Sequence, residues 1–442
     1  MHFWKNRNQI VLGVIILLCA VSYFYFGYKL DRTDYTALLV SYTILFLFSI
    51  KILYSYENNT KLLIVASVLF RLVFLFSIPN LSQDFYRFIW DGRMVMEGLN
   101  PYLYTPESIL SSGDYPIMQA QELYAGMGEL NGSHFTNYPP INQLCFTIAA
   151  LFAGNSILGS AMVLRVIIVL ADIGTLFIGM KLLEKLKIPS NRIFWYILNP
   201  FIVIELTGNL HFEGVMTFFL LLGLYLLHLE KWRKAAIAIA ISISVKLIPL
   251  AFLPLLFHRL GFKKWFLFCC ITMSVVFALF LPFFSLEFVS NYSATVGLWF
   301  HNFEFNASVY YVAREIGYLF RGYNEIATIG MLFSILVILF VVLISRYKRN
   351  RSDIGLITSM LFVLIFHFFT TTTMHPWYLA TPLLLSVFTK YKFVLVWSFV
   401  IFLSYLAYAN TANQENLWII AIEYLVVYLV FFYEIFYKRI KV

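Results

Sequence analysis

The chain has 442 residues, of which 61% are hydrophobic and only 12% charged, with a formal net charge of +9. An ordinary soluble domain carries roughly 25% charged residues, so this composition excludes one, and apolar runs without polar alternation exclude a membrane barrel. The positive charge sits in short loops between apolar runs, the positive-inside pattern, and no basic face runs along a soluble domain, so nucleic acid is excluded as a partner.

A helix crosses a bilayer with about 20 apolar residues, and loops rich in Lys and Arg stay on the cytoplasmic side. Lys5 and Arg7 place the N-terminus inside, and residues 9–28 form a retained first span rather than a removed signal peptide. Residues 35–55 return, and 62–79 run outward to a long polar segment, 80–137. The next run, 138–154, opens with Pro139-Pro140 and has the length of an interfacial or re-entrant helix. Residues 157–183 cross to Lys181, Lys185 and Lys187. Residues 193–206 lead outward to Asn209, His211 and Glu213, and 214–229 return.

The run 235–257 has basic residues at both ends and is interrupted by Lys246, Pro249 and Pro254, which predicts a broken helical hairpin. Residues 265–284 lead to a second outer loop, 285–325, with Trp299, His301, Glu304, Asn306 and Arg314. Residues 326–345, 354–370, 379–388, 394–409 and 417–437 complete the chain. The expectation is an all-α polytopic protein of about 12–14 spans with both ends inside. It is a single integral membrane domain: an N-terminal hairpin over 1–61, a core over 62–390 and a C-terminal hairpin over 391–442. Cys19, Cys145, Cys269 and Cys270 lie in apolar runs and read as small packing residues. Orientation, set by Lys and Arg alone, puts the Asp84, His211, Trp299 and His375 segments on one outer face, which predicts a single site.

The segment Ser82–Arg93 carries the chemistry. Asp84, Arg87 and Asp91 recur at helical spacing and fall on one side of a short helix. A carboxylate can take a proton and guanidinium groups can grip a phosphate. Four segments in order resemble the GT-C superfamily, polytopic glycosyltransferases that use sugars carried on polyprenyl phosphate, and more closely its polyprenyl-phosphate-mannose-dependent mannosyltransferases. They are Asp84–Arg93 with Gly98-Leu99-Asn100-Pro101-Tyr102 and Asn137-Tyr138-Pro139-Pro140; Asn199-Pro200 with Glu205, Gly208-Asn209, His211 and Glu213; Lys246–Pro249 with Pro254; and His375-Pro376-Trp377-Tyr378. The resemblance implies an inverting transfer with an aspartate base in the first outer loop. It also implies a polyprenyl-phosphate sugar donor and a lipid-linked or glycan acceptor, in a bacterial cytoplasmic membrane.

Each residue has a second reading. Asp84 is the base, or it caps the helix behind it. Asp91 is a second candidate, or it pairs with Arg87 or Arg93. Arg87 and Arg93 clamp the donor phosphate, or anchor to lipid headgroups. Lys246, inside an apolar run, meets a lipid phosphate or an internal carboxylate, or snorkels. Tyr138, Asn209, His211, Glu213 and His375 read as substrate hydrogen-bonding groups. A divalent metal on the two histidines and Glu213 is the less favoured alternative, because no local ligand spacing supports it; no cofactor is expected. Trp299, Trp377 and Tyr378 stack on a sugar face or belong to an aromatic belt in membrane lipid. Asn291-Tyr292-Ser293 and Asn306-Ala307-Ser308 match glycosylation sequons. No Gly-rich phosphate loop occurs, in keeping with a lipid-linked donor rather than a nucleotide sugar. The rival functions are an O-antigen-type polymerase or ligase, which takes an oligosaccharide diphosphate, and a lipid or sugar transporter, which should show two halves with matching broken helices.

Overall fold

The computed structural model describes residues 2–113, 115–301, 303–410 and 412–437, excluding the side chains of 2–10 and 299–301. Lys5, Arg7, Trp299, His301 and the basic C-terminal residues Lys438, Arg439 and Lys441 therefore lie outside the described side chains. Every regular element among the described residues is a helix, and the β-like pairing is an isolated bridge between Phe305 and Thr373.

Two long apolar helices, α1 (His2–Tyr28) and α2 (Tyr35–Tyr56), open the chain; Asp34 caps α2 by accepting from the Ala37 N–H. α3 (Thr60–Leu72) is capped by Asn59 and stops well short of the end of the apolar run that contains it. Beyond it, backbone turns lead to α4 (Asp84–Met96). The polar segment adds α5 (Pro106–Ser111) and α6 (Ala120–Gly132). Pro140 then starts α7 (Pro140–Ala153), where the missing N–H of a first-turn proline is harmless. α4 crosses α7 at Gly92, where any Cβ would meet the Phe146 carbonyl oxygen at 2.2 Å.

α8 (Ile157–Lys185) is the longest helix. α9 (Phe194–Ile197) and α10 (Pro200–Ile202) follow, and α10 continues as a π-helical turn over Val203–Gly208. The chain then bends by 113° into α11 (Glu213–His228). The bend passes through Leu210, held in the left-handed region at φ 63°. A branched side chain is rarely found there, and such strain concentrates at functional sites. α12 (Trp232–Ile243) ends just before Lys246, and the prolines turn the continuation into a 3-10 helix, Ile248–Leu256. This is the break expected around Lys246.

The rest comprises α13 (Phe257–Leu260), α14 (Phe262–Phe280), α15 (Leu286–His301), α16 (Val309–Arg321), α17 (Ile326–Ser345), α18 (Asp353–Thr370), α19 (Ala380–Val387), α20 (Phe393–Val400) and α21 (Leu417–Phe432). One buried apolar cluster extends from Cys19 to Val427, and all four cysteines are free thiols.

The protein is an all-α polytopic membrane protein. Among the described residues seven helices are long and apolar enough to cross a bilayer, eight if the bent pair counts as one span, with three shorter apolar helices besides. The sequence runs suggested about 12–14. The difference has a physical source: proline, turns and polar insertions cut runs such as 62–79, 193–206 and 235–257 into pieces too short to cross alone.

Charges buried among these helices hold them together. Arg71 on α3 pairs with Asp172 on α8 at 2.7 Å, each side chain only 1% exposed, and also donates to the Ser67 and Ile197 carbonyls. Arg165 on α8 donates to the carbonyls of Leu75, Ser77, Thr207 and Gly208, tying off the chain ends that precede α4 and the bend.

Candidate active site

α4 begins at Asp84, with Gln83 rather than Asp84 in the capping position. The Asp84 carboxylate instead accepts from Asn131 Nδ2, at a long 3.3 Å, and is only half-buried. The capping role is therefore not the one adopted. Burial pushes its carboxyl above the ordinary value and the nearby Glu213 carboxylate adds to this, while the Lys246 ammonium and the Asn131 hydrogen bond oppose it.

Farther along α4 the charges are locked. Arg87 Nε donates to Asp91 Oδ1 at 2.8 Å, and Arg87 Nη1 donates to the carbonyls of Asn131 and His134. Asp91 is fully buried, and its Oδ2 accepts from Gln143 Nε2 on α7 at 3.0 Å. Of its two readings, Asp91 thus takes the ion pair with Arg87. Arg93 is buried as well and donates to the Met118 carbonyl (2.6 Å) and Gln119 Oε1 (3.1 Å). Arg87 Nη1 and the Arg93 Nη atoms thus donate to the segment between α4 and α7, whereas Arg87 Nη2 and Arg93 Nε are buried with no hydrogen-bond partner among the described residues, so both side chains serve mainly to hold that segment.

The bend before α11 delivers His211 and Glu213. Glu213 Oε1 accepts from Lys246 Nζ, so the internal carboxylate is the partner of that lysine. Lys246 keeps 25% of its side chain exposed while Glu213 keeps 2%, and the ammonium lies 5.5 Å from the Tyr378 ring centre. Such a cation–π contact is worth about 0.5–1 kcal/mol at an exposed site.

His211 stacks on Trp377 at 3.8 Å and 17°, and His375 stacks on it at 4.5 Å and 6°. Trp377 is buried and its indole is engaged by two imidazoles, which leaves it little open surface for a sugar. Burial pushes His375 down to about 3, with the Lys246 ammonium adding to the effect, so its ring is neutral at physiological pH. His375 Nδ1 and Glu213 Oε2 are buried with no hydrogen-bond partner among the described residues, and so is His211 Nε2, which lies 3.8 Å from Glu205 Oε2. Buried polar atoms normally find partners, so three orphans around one stack mark a place built for a further polar group.

Tyr138 packs edge-on against Phe88 and Phe146, beside Asp84, and burial raises its phenol well above the ordinary value. Asn209 donates to Glu205 Oε2 at 3.2 Å, and Tyr405 donates to Glu205 Oε1 at 2.7 Å, so Asn209 serves a buried carboxylate on the π-helical turn. π-Helical turns recur at functional sites. Asp84, Tyr138, His211, Glu213, Lys246, His375, Trp377 and Tyr378 come together; Arg87, Asp91, Arg93 and Asn209 stand behind them.

Two groups that bear on the site escaped the sequence reading, and a third, Asn306, serves the fold rather than a glycan. Asn131, the donor to Asp84, is one polar residue among many in a loop. Arg71 with Asp172, and Arg165, were legible as charges inside apolar runs, a signal of cost and purpose. Asn306 is completely buried, its Nδ2 donates to Glu423 Oε1, its N–H donates to Glu415 Oε1, and its carbonyl accepts from Tyr424. Its sequon is therefore closed to a glycan. The same loop bonds to the His375 segment through Phe305 N–H to the Thr372 carbonyl and Met374 N–H to the Phe305 carbonyl. Among the described residues no three His, Cys, Asp and Glu side chains converge closely enough to hold a metal ion.

Fold and site together define a polytopic all-α membrane protein with a half-exposed carboxylate facing a lysine and two neutral imidazoles. Residues 27–260, more than half the chain, match the family described as Alpha-(1->6)-mannopyranosyltransferase, N-terminal domain, and the chain belongs to that family. It is 22% identical over 156 residues to Alpha-(1->6)-mannopyranosyltransferase B of Corynebacterium glutamicum, covering 34% of this chain and 24% of that protein. It is 23% identical over 173 residues to Alpha-(1->6)-mannopyranosyltransferase A of Mycobacterium tuberculosis, covering 39% of this chain and 32% of that protein. The alignments thus span a quarter to a third of the length of these curated relatives. Asp84, His211, Glu213 and Lys246 fall inside the matched region, whereas His375, Trp377 and Tyr378 fall beyond it.

Proposed function

We propose that the chain is an inverting mannosyltransferase that moves mannose from a polyprenyl-phosphate carrier to a hydroxyl of a lipid-linked or glycan acceptor, on the outer face of a bacterial cytoplasmic membrane. The observation that carries this reading is the meeting of Asp84 with the Lys246–Glu213 pair at a site framed by His211, His375 and Tyr378, in a chain of a mannosyltransferase family.

Asp84 takes the acceptor proton as the hydroxyl oxygen attacks the anomeric carbon. The bond from that carbon to the phosphate oxygen breaks, and the phosphate leaves with the electron pair. A phosphate is already a competent leaving group, so no second carboxylic acid is required, unlike glycoside hydrolysis. The upward push on Asp84 makes it a better base than a free carboxylate. Lys246, the partly exposed member of its pair, meets the phosphate. The orphan atoms of His211 and His375 take sugar hydroxyls. Arg87 and Arg93 hold the segment that carries Asn131, and the chemistry calls for no metal.

Purified protein in liposomes, given radiolabelled polyprenyl-phosphate mannose or nucleotide-linked mannose with a glycan acceptor, should form product from the lipid donor alone. Transfer from the nucleotide sugar alone would overturn the donor assignment. Consumption of an oligosaccharide diphosphate instead would favour the polymerase reading.

A further inference from the structure

α16 differs from every helix long enough to cross a bilayer. Its 13 residues reach about 20 Å, too short to span. Val309, Val312, Ile316, Leu319 and Phe320, with Tyr323 just beyond its end, are all exposed, Leu319 at 84% and Phe320 at 82%. Wound at 100° per residue these six occupy an arc of only about 100°.

The other side is mostly polar and fastened, with the exposed Tyr318 among its residues. Tyr310 donates to Glu304 Oε2 at 2.7 Å and to Asn324 Oδ1 at 3.0 Å, Arg314 Nη1 donates to Glu304 Oε1 at 2.6 Å, and Tyr311 donates to Glu415 Oε2. α17, which follows after a turn closed by Gly322 at φ 78°, is apolar on every face: exposed side chains from Met331 and Leu332 to Ile338, Leu339, Val342 and Leu343 cover about 160°, and Phe333, Val337, Phe340 and Ile344 pack on the rest. An apolar surface all round marks a span; one apolar arc opposite an anchored polar face marks a helix lying in a membrane surface.

We propose that α16 lies in the plane of the bilayer on the candidate site's side, with the Val309, Val312, Ile316, Leu319, Phe320 and Tyr323 face sunk into the headgroup–acyl boundary. The occupant of that face is lipid, because the arc is continuous in chain with the lipid-sized span α17 and its rim carries Arg321, which pairs with Glu325 at 3.1 Å yet stays 67% exposed and within reach of phosphate headgroups. The side is fixed by the chain itself: Ser308 precedes α16 and bonds to Tyr428, and the loop just before it pairs with the His375 segment. The inference does not depend on the reaction catalysed.

The test uses full-length protein in liposomes of phosphatidylethanolamine and phosphatidylglycerol. Cys269 and Cys270 are replaced by alanine, since Cys19 and Cys145 are buried. Nitroxide labels go in turn on Val312→Cys, Ile316→Cys, Phe320→Cys and, as the polar control, Glu315→Cys. Power saturation should show oxygen favoured over a water-soluble nickel chelate at 312, 316 and 320, at a depth of about 5–10 Å, and the reverse at 315. Independently, tryptophan emission added by Phe320→Trp should be quenched by lipids brominated near the headgroup. Nickel accessibility at all four positions, with no bromolipid quenching, would overturn the proposal. So would spin–spin broadening between labels at 320, which would assign the face to a second copy.

Discussion

Two sets of charges lie on one helix, and the protein treats them in opposite ways. Arg87 and Asp91 form a buried pair at 2.8 Å, whereas Asp84, one turn before Arg87, is half-exposed and its carboxylate is held by a single long hydrogen bond. The same contrast separates Arg71–Asp172, sealed at 1% exposure, from Lys246–Glu213, whose lysine remains partly open. A sealed pair specifies packing, because breaking it strands a charge in low dielectric. A pair with one partly exposed member is free to exchange its partner for a substrate.

Removing a sealed charge should have the largest effect. Arg87→Ala leaves Asp91 buried without its cation and should cost about 3–5 kcal/mol, seen as a lower unfolding temperature and poor recovery of monodisperse protein in detergent. Retained stability with only a weaker KM for the donor would return Arg87 to phosphate binding. Next comes the open pair: Lys246→Met combined with Glu213→Gln strands no charge, so the fold should persist while turnover falls about 100-fold, as when one electrostatic contact to a developing charge is lost. An unfolded double variant would place this pair with the sealed ones.

Trp377→Phe should change turnover by only about threefold, because the smaller ring still stacks with the imidazoles at a loss of a fraction of a kcal/mol. A large rise in donor KM would instead make Trp377 a sugar platform. The smallest effect concerns pH. Asp84 is displaced upward, so transfer should fail on the acid side at a pH above that of a free carboxylate, as the base becomes protonated. Asn131→Ala removes a hydrogen bond that stabilises the charged form, so this limb should move to still higher pH. His375, at about 3, is neutral throughout and contributes no limb between pH 5 and 8.

Much of this was legible in the chain. Asp84 does open a helix, the segments around Asp84, His211 and His375 do converge, and Lys246 does sit at a break. These follow from patterns a few residues long: an acid after an apolar run, a lysine beside prolines, a polar triplet between spans. What was not legible depends on which side chains meet across the fold. The spacing allowed Asp91 to face Arg87, Arg93 or a substrate, and packing against Gln143 decided it. Trp377 read as an open ring because nothing in its own segment announces that His211, more than 160 positions away, covers one face. The breaks within the apolar runs were not legible, because hydropathy registers such runs and not the turns inside them.

The central claim rests on the Asp84 carboxylate, and Asp84→Asn tests it with one atom changed. The account predicts an unaltered unfolding temperature, donor binding preserved in the membrane, and transfer reduced by about 100-fold to 10,000-fold, the usual contribution of a positioned base. An Asp84→Asn protein that transfers mannose at the wild-type rate would contradict it.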